Sequence, residues 1–342
     1  MANGKNHKNF TADGDVYAEE LLERILAGMK ADLEDSGFSV YLGGSYGRGE
    51  GGVRQDRENG ILYNDLDLFV FYRKKSPRNT ALLKSISEKY EKMLHVDVDF
   101  STPAGIREIK RNHKRLMMQE LKRGHRLICG EDLLETYLPA LPPEELPFSE
   151  ACRLLLNRGM GLMLAGKKIS GRCDEPDFIL RNIYKGILGA GDALLIARGQ
   201  YCWRINERVE ALMKSELPRE WKELYRRAAE FKRSPSRSKA GEIELLWRSA
   251  CDFLRASILK TAGTEEKRDL QRAIFEKCEK CGELSFMNYI KYCVKCRSAE
   301  SPLDWKRFGV PPVAPLLVQL FDSLYRPLDL NGELYRKWQI FN

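Results

Sequence analysis

At 342 residues the chain is longer than one hydrophobic core comfortably supports, which points to two domains. Hydrophobic residues at 43% and charged residues at 31% exclude long disorder, and no apolar run reaches membrane-spanning length. A formal net charge of +8 suits an anionic small substrate and does not by itself require a nucleic acid.

The start, Met1-Ala2-Asn3-Gly4-Lys5-Asn6-His7-Lys8, is polar and lacks an export segment, so residues 1–15 are expected to form a loose tail and the protein to be cytoplasmic. Phe38-Ser39-Val40-Tyr41-Leu42 is a run of strand formers stopped by glycines. The loop that leaves it reads Gly43-Gly44-Ser45-Tyr46-Gly47-Arg48-Gly49-Glu50. Its glycines reach backbone conformations closed to other residues, so successive N–H groups can surround an anion. Ser45 adds a hydroxyl and Arg48 a cationic fork suited to phosphate. Residues 53–60 are strongly charged, and Asn59-Gly60 signals a tight hairpin turn. This hairpin is either solvated or, through Arg54 and Arg57, a flap over a bound polyanion.

Asp65-Leu66-Asp67-Leu68-Phe69-Val70-Phe71 alternates, placing Asp65 and Asp67 on one face of a strand. Two carboxylates so spaced can share a hard cation such as Mg2+, or Mn2+ in its place, whose remaining ligands come from water and substrate phosphates. A helix is expected over 81–93, then a strand over 94–100 carrying Asp97 and Asp99 on one face. Either is placed to supply a third acid. Asp97 is preferred because its flanking valines suggest a mid-strand position. There is no Gly-x-x-x-x-Gly-Lys-Ser/Thr loop and no dinucleotide fingerprint.

Gly44-Ser45 after a strand, Asp65-x-Asp67 inside an apolar strand and an acid on a later strand together resemble the nucleotidyltransferase superfamily, which shares a catalytic core with DNA polymerase beta. The chain is most similar to its small bacterial members, including aminoglycoside nucleotidyltransferases, whose loop also reads Gly-Ser-x-x-Arg-Gly. The resemblance covers residues 36–135. It implies that Gly44 and Ser45 contact a triphosphate, that Asp65 and Asp67 bind Mg2+, and that Asp97 or Asp99 is the third carboxylate. Gly43, Tyr46 and Arg48 belong to the same expected nucleotide site. The segment between Ser45 and Asp65 is longer than the family usually has.

Farther on, residues 104–123 have helical spacing, and Gly124–Gly130 read as a short terminal strand. Pro139, Pro142, Pro143 and Pro147 mark a hinge over 139–148. The expected organisation is therefore α+β: a catalytic domain over 16–138 with a mixed sheet and helices, then an all-α bundle over 149–342 that selects the acceptor. Bundle helices are expected over 149–165, 176–198, 219–231, 240–261, 265–279 and 311–325. Arg181 and Lys185 lie one turn apart in an apolar segment and either meet the triphosphate or pair with acids of a neighbouring helix. Tyr201 and Trp203 follow at a turn and are expected to pack. The basic run at 232–239 reads as an interhelical loop, and a nucleic-acid partner is not expected.

Nine cysteines are present, most in segments that read as core helices. Cys278-x-x-Cys281 and Cys293-x-x-Cys296 approach a four-thiolate Zn2+ pattern, although the same spacing also suits the apolar face of a helix. None of His7, His95, His113 and His125 forms a metal-binding pair. The expected activity is transfer of a nucleoside monophosphate from a nucleoside triphosphate, ATP foremost, to an acceptor hydroxyl or phosphate. The acceptor is a small molecule or, alternatively, a hydroxyl of a partner protein, as in protein-modifying or toxin-neutralising enzymes. A non-catalytic binding protein that keeps the fold is a further alternative.

Overall fold

The computed structural model describes residues 9–56, 59–74, 80–173, 175–236, 240–296, 309–326 and 328–341. The chain is α+β and divides into two compact units, Met1–Pro142 with Glu230–Ser236, and Pro143–Ala229 with Arg237–Asn342.

In the first unit the order is α1 (Val16–Asp32), β1 (Ser39–Leu42), α2 (Gly44–Gly47), β2 (Val53–Asp56), β3 (Asn59–Leu62), β4 (Leu66–Tyr72), α3 (Thr80–Leu94), β5 (Val98–Phe100), β6 (Ala104–Gly105), α4 (Ile106–Arg111), α5 (Leu116–Arg123), β7 (Arg126–Cys129) and α6 (Leu133–Tyr137). The sheet runs β5-β4-β1-β7, with β6 also on β4. It is mixed: β1 is antiparallel to β4 and β7, whereas β5 and β6 lie parallel to β4. Alternation along β4 divides its side chains between two layers. Leu66, Leu68 and Val70 join a core with Leu22, Ile25 and Met29 of α1 and Leu83, Ile86 and Tyr90 of α3. Phe71, with Phe69 packed beside it, faces Ile109, Met118, Leu121, Leu133 and Leu134 from α4, α5 and α6.

Several elements differ from expectation, each for an identifiable reason. α1 is not among the expected elements, although Ala18, Leu22, Ile25 and Met29 recur at helical spacing and Asp15 caps it by accepting from Ala18 N at 2.9 Å. Residues 9–15, expected within a loose tail, are docked. Phe10 is buried, Thr11 bridges Gly51, and the Glu19 carboxylate accepts from the N–H groups of Phe10 and Thr11 at 2.8 and 2.7 Å. Residues 1–8 lie outside the described residues.

The β2–β3 hairpin pairs Asp56 with Asn59, and Asn59-Gly60, expected to form the turn, are strand residues of β3; residues 57–58 lie outside the described residues. Glycine serves a packing purpose there, since a Cβ on Gly60 would lie 2.5 Å from Val53 Cγ1 and 2.7 Å from the Asp15 carboxylate. Arg57 of the expected flap also lies outside the described residues.

The helix expected over 104–123 is broken into α4 and α5. The break is held from a distance: buried Gln119 donates its side-chain N–H to His113 O at 2.6 Å and to Pro139 O at 2.9 Å. Tyr41 similarly organises the start of α6, its hydroxyl accepting from Leu133 N at 2.7 Å and donating to Glu131 O at 3.0 Å.

In the second unit follow α7 (Phe148–Ser170), α8 (Pro176–Ala197), α9 (Ile205–Met213), α10 (Arg219–Arg233), α11 (Ala240–Ala262), α12 (Leu270–Lys280), α13 (Phe286–Cys296), α14 (Val313–Ser323) and α15 (Glu333–Phe341). α9, α13 and α15 are not among the expected helices. α7 and α8 approach closely, and a Cβ on Gly186 would fall 2.7 Å from Leu162 Cγ. Arg208, almost wholly buried on α9, is held by Asp192 at 3.1 Å and donates to Tyr201 Oη at 2.9 Å. Tyr201 in turn packs edge-on against Trp203. α10 begins in this unit, but its end from Glu230 packs with the first. Among the described residues no helix is long and apolar enough to cross a membrane.

Candidate active site

The glycine turn extends the β1–β4 ladder, since Gly43 N donates to Asp67 O at 2.8 Å. Gly44 then adopts a positive φ of 59°, and a Cβ built on it would lie 2.0 Å from Asp67 Oδ2. Only a residue without a side chain lets the Asp67 carboxylate rest against the turn. Gly47 N closes the turn onto Gly43 O at 2.8 Å, and a Cβ at Gly47 would strike Leu42 O at 2.5 Å. Ser45 is half-buried, and its carbonyl accepts from Glu50 N at 2.9 Å.

Asp67 is the Cα partner of Asp99 across the parallel β4–β5 pair, so the two carboxylates leave neighbouring strands about 4.8 Å apart on the same sheet face. Asp65 stands two residues earlier, immediately before β4. Farther along, the same face is covered by α4–α6 against Phe69 and Phe71. Asp65 and Asp67 are half-buried, and Asp99 is exposed.

The expected mid-strand position of Asp97 is corrected by the extent of α3. That helix runs to Leu94, His95 takes a left-handed backbone with φ 55°, and β5 begins only at Val98. Asp99 is therefore the mid-strand acid. Asp97 is exposed ahead of the strand and contributes its carbonyl to Leu66 N at 2.9 Å.

Among the described residues no three His, Cys, Asp or Glu side chains are grouped closely enough to hold a metal ion. In donor chemistry, Asp65, Asp67 and Asp99 offer carboxylate oxygen alone, the kind of ligand that hard divalent cations take.

Tyr46 is a structural peg. Its side chain is fully buried, and its hydroxyl donates to Gly52 O at 3.0 Å while accepting from Tyr63 N at 3.1 Å and Asn64 N at 3.3 Å. Burial pushes its phenol well above the ordinary tyrosine range. The peg ties the turn to the segment entering β4, so the side chain is not part of a ligand-facing surface. Tyr46→Phe removes the donor to Gly52 O and the acceptor that Asn64 N uses, and is expected to lower unfolding stability by about 1–3 kcal/mol in a urea titration.

Arg48 is engaged by acids, Nε lying 3.5 Å from Glu50 Oε2 and Nη1 3.3 Å from Glu120 Oε2. Its stem passes over Gly124, where a Cβ would meet Arg48 Cγ at 2.2 Å. Lys232 joins the group through Glu50 Oε2 at 2.8 Å. Glu50, Glu120 and Lys232 were not singled out from sequence, and Lys232 lies 182 residues from Glu50, beyond any local pattern.

Arg181 and Lys185 belong to the second unit, half-buried and exposed respectively on α8. Of the four paired cysteines, Cys278 is a core residue whose thiol burial pushes up, Cys281 is exposed and Cys293 half-buried. The side chain of Cys296 lies outside the described residues. Comparison of the chain with protein-family models, curated proteins and solved structures finds no match.

Proposed function

We propose that this protein is a nucleotidyltransferase, moving a nucleoside monophosphate from a nucleoside triphosphate, ATP foremost, to an acceptor hydroxyl or phosphate. The observation that carries the reading is the seating of Asp67, which rests against the side-chain-free Gly44 and stands in register with Asp99. An anion-binding turn and a group of carboxylates are thereby joined at one residue. That pairing suits a substrate that is itself a polyanion accompanied by a divalent cation.

In this reading Asp65, Asp67 and Asp99 hold Mg2+ or Mn2+. When bound, such a cation offsets the charge of the phosphates and of the departing pyrophosphate. The backbone of Gly43 and Gly44, with the Ser45 hydroxyl, orients the triphosphate. Asp99, the most accessible of the three acids, takes the acceptor's proton as the acceptor oxygen bonds to the α-phosphorus. The bond from that phosphorus to the bridging oxygen breaks, and the electron pair leaves with pyrophosphate.

Titration calorimetry with ATP, GTP, CTP and UTP, each with and without Mg2+, tests the reading. At least one triphosphate is expected to bind in a Mg2+-dependent manner, and no heat with any of the four overturns it. Incubation with labelled ATP then sorts the acceptor class, since label that precipitates with protein identifies a protein acceptor.

A further inference from the structure

The group around Arg48 links parts of the chain remote in sequence, and its geometry bears on the glycine turn. Glu50 receives Lys232 Nζ at 2.8 Å and Arg48 Nε at 3.5 Å, while Arg48 Nη1 reaches Glu120 at 3.3 Å. All four side chains are between 12% and 23% exposed, so these charges interact in a partly desolvated environment and not as a surface pair in water. Glu50 is also tied to the turn by its backbone, its N–H donating to Ser45 O at 2.9 Å.

Packing reinforces the link. A Cβ on Gly52 would meet Lys232 O at 2.4 Å and Pro235 Cγ at 3.4 Å, and Phe231 stacks edge-on with Tyr63 at 5.8 Å. The stretch Glu230–Ser236 is thus built into the first unit beside the residues that Tyr46 pegs.

We infer that Lys232 is a positioning residue for the glycine turn, acting through Glu50. The inference rests on the nucleotidyltransferase reading. The Lys232 ammonium fixes the Glu50 carboxylate, which holds the guanidinium of Arg48; this anchors Glu50, whose backbone N–H holds the carbonyl of Ser45, and the turn is held in shape for a triphosphate before one arrives. Preorganisation of this kind is read out as affinity, because the ligand does not have to order the loop.

The test is calorimetric affinity for Mg·ATP, alongside thermal unfolding, on the full chain. Lys232→Met is expected to weaken binding about tenfold by loosening the turn, and Lys232→Arg to restore most of the loss. The double variant Lys232→Met with Glu50→Gln keeps the net charge of the unaltered protein, and it is expected to bind as weakly as either single change. Its weakness would not be a field effect or a stranded carboxylate. Normal affinity in Lys232→Met, or recovery of affinity in the double variant, overturns the positioning role alone. Absence of binding by the unaltered chain overturns the nucleotidyltransferase reading and this role with it.

Discussion

Replacing Asp65 and Asp67 together by asparagine is expected to abolish pyrophosphate release, with a fall of about three orders of magnitude or more, because both changes remove ligand charge while keeping side-chain shape. The fold should survive. Asp67 and Asp99 leave neighbouring strands as direct partners, with Asp65 immediately ahead of β4, and none of the three is a core residue. Asparagine at 65 and 67 keeps the side-chain shape, and the urea midpoint of the variant is expected to stay close to that of the parent. A pyrophosphate assay with a matched urea titration separates the two effects. Turnover retained alongside normal stability would sink the assignment of these acids.

Gly44→Ala is expected to have the second largest effect, on activity more than on stability. The added methyl would stand 2.0 Å from Asp67 Oδ2, so the carboxylate must swing away or the turn must shift. A displacement of roughly 1 Å at a reacting centre costs about a hundredfold in rate. The positive φ of 59° adds backbone strain of about 1–2 kcal/mol. Gly263 provides the control: its φ is 83° and nothing lies within 4 Å of a Cβ there, so Gly263→Ala carries the backbone strain alone and should leave turnover unchanged. Equal rates for the two variants would show that Asp67 does not depend on its seat against Gly44.

What could be read from the residues depended on the range of the forces involved. The β4 strand announces itself by alternation of Leu66, Leu68 and Val70 with the acids, and the glycine run marks where β1 must end. These are local signals. Which of Asp97 and Asp99 stands mid-strand depends on where α3 stops. Burial of Leu94 and the left-handed turn at His95 decide that point, whereas the apolar run 94–100 by itself reads as continuous strand. The break between α4 and α5 depends on Gln119 reaching Pro139, and the fixing of Arg48 depends on Glu120, 72 residues away. No periodicity encodes such partners. α1 was legible in its spacing and cap and is a failure of reading, not of information.

The inclusion of Glu230–Ser236 in the first unit has a consequence for biosynthesis. As the chain emerges from the ribosome, the first 142 residues are complete well before Phe231 and Lys232 exist to cover Tyr63 and neutralise Glu50. The amino-terminal unit must therefore wait, with its glycine turn unbraced, until the chain has been translated through Ser236. A gene fragment ending after the proline cluster would encode a permanently unfinished protein.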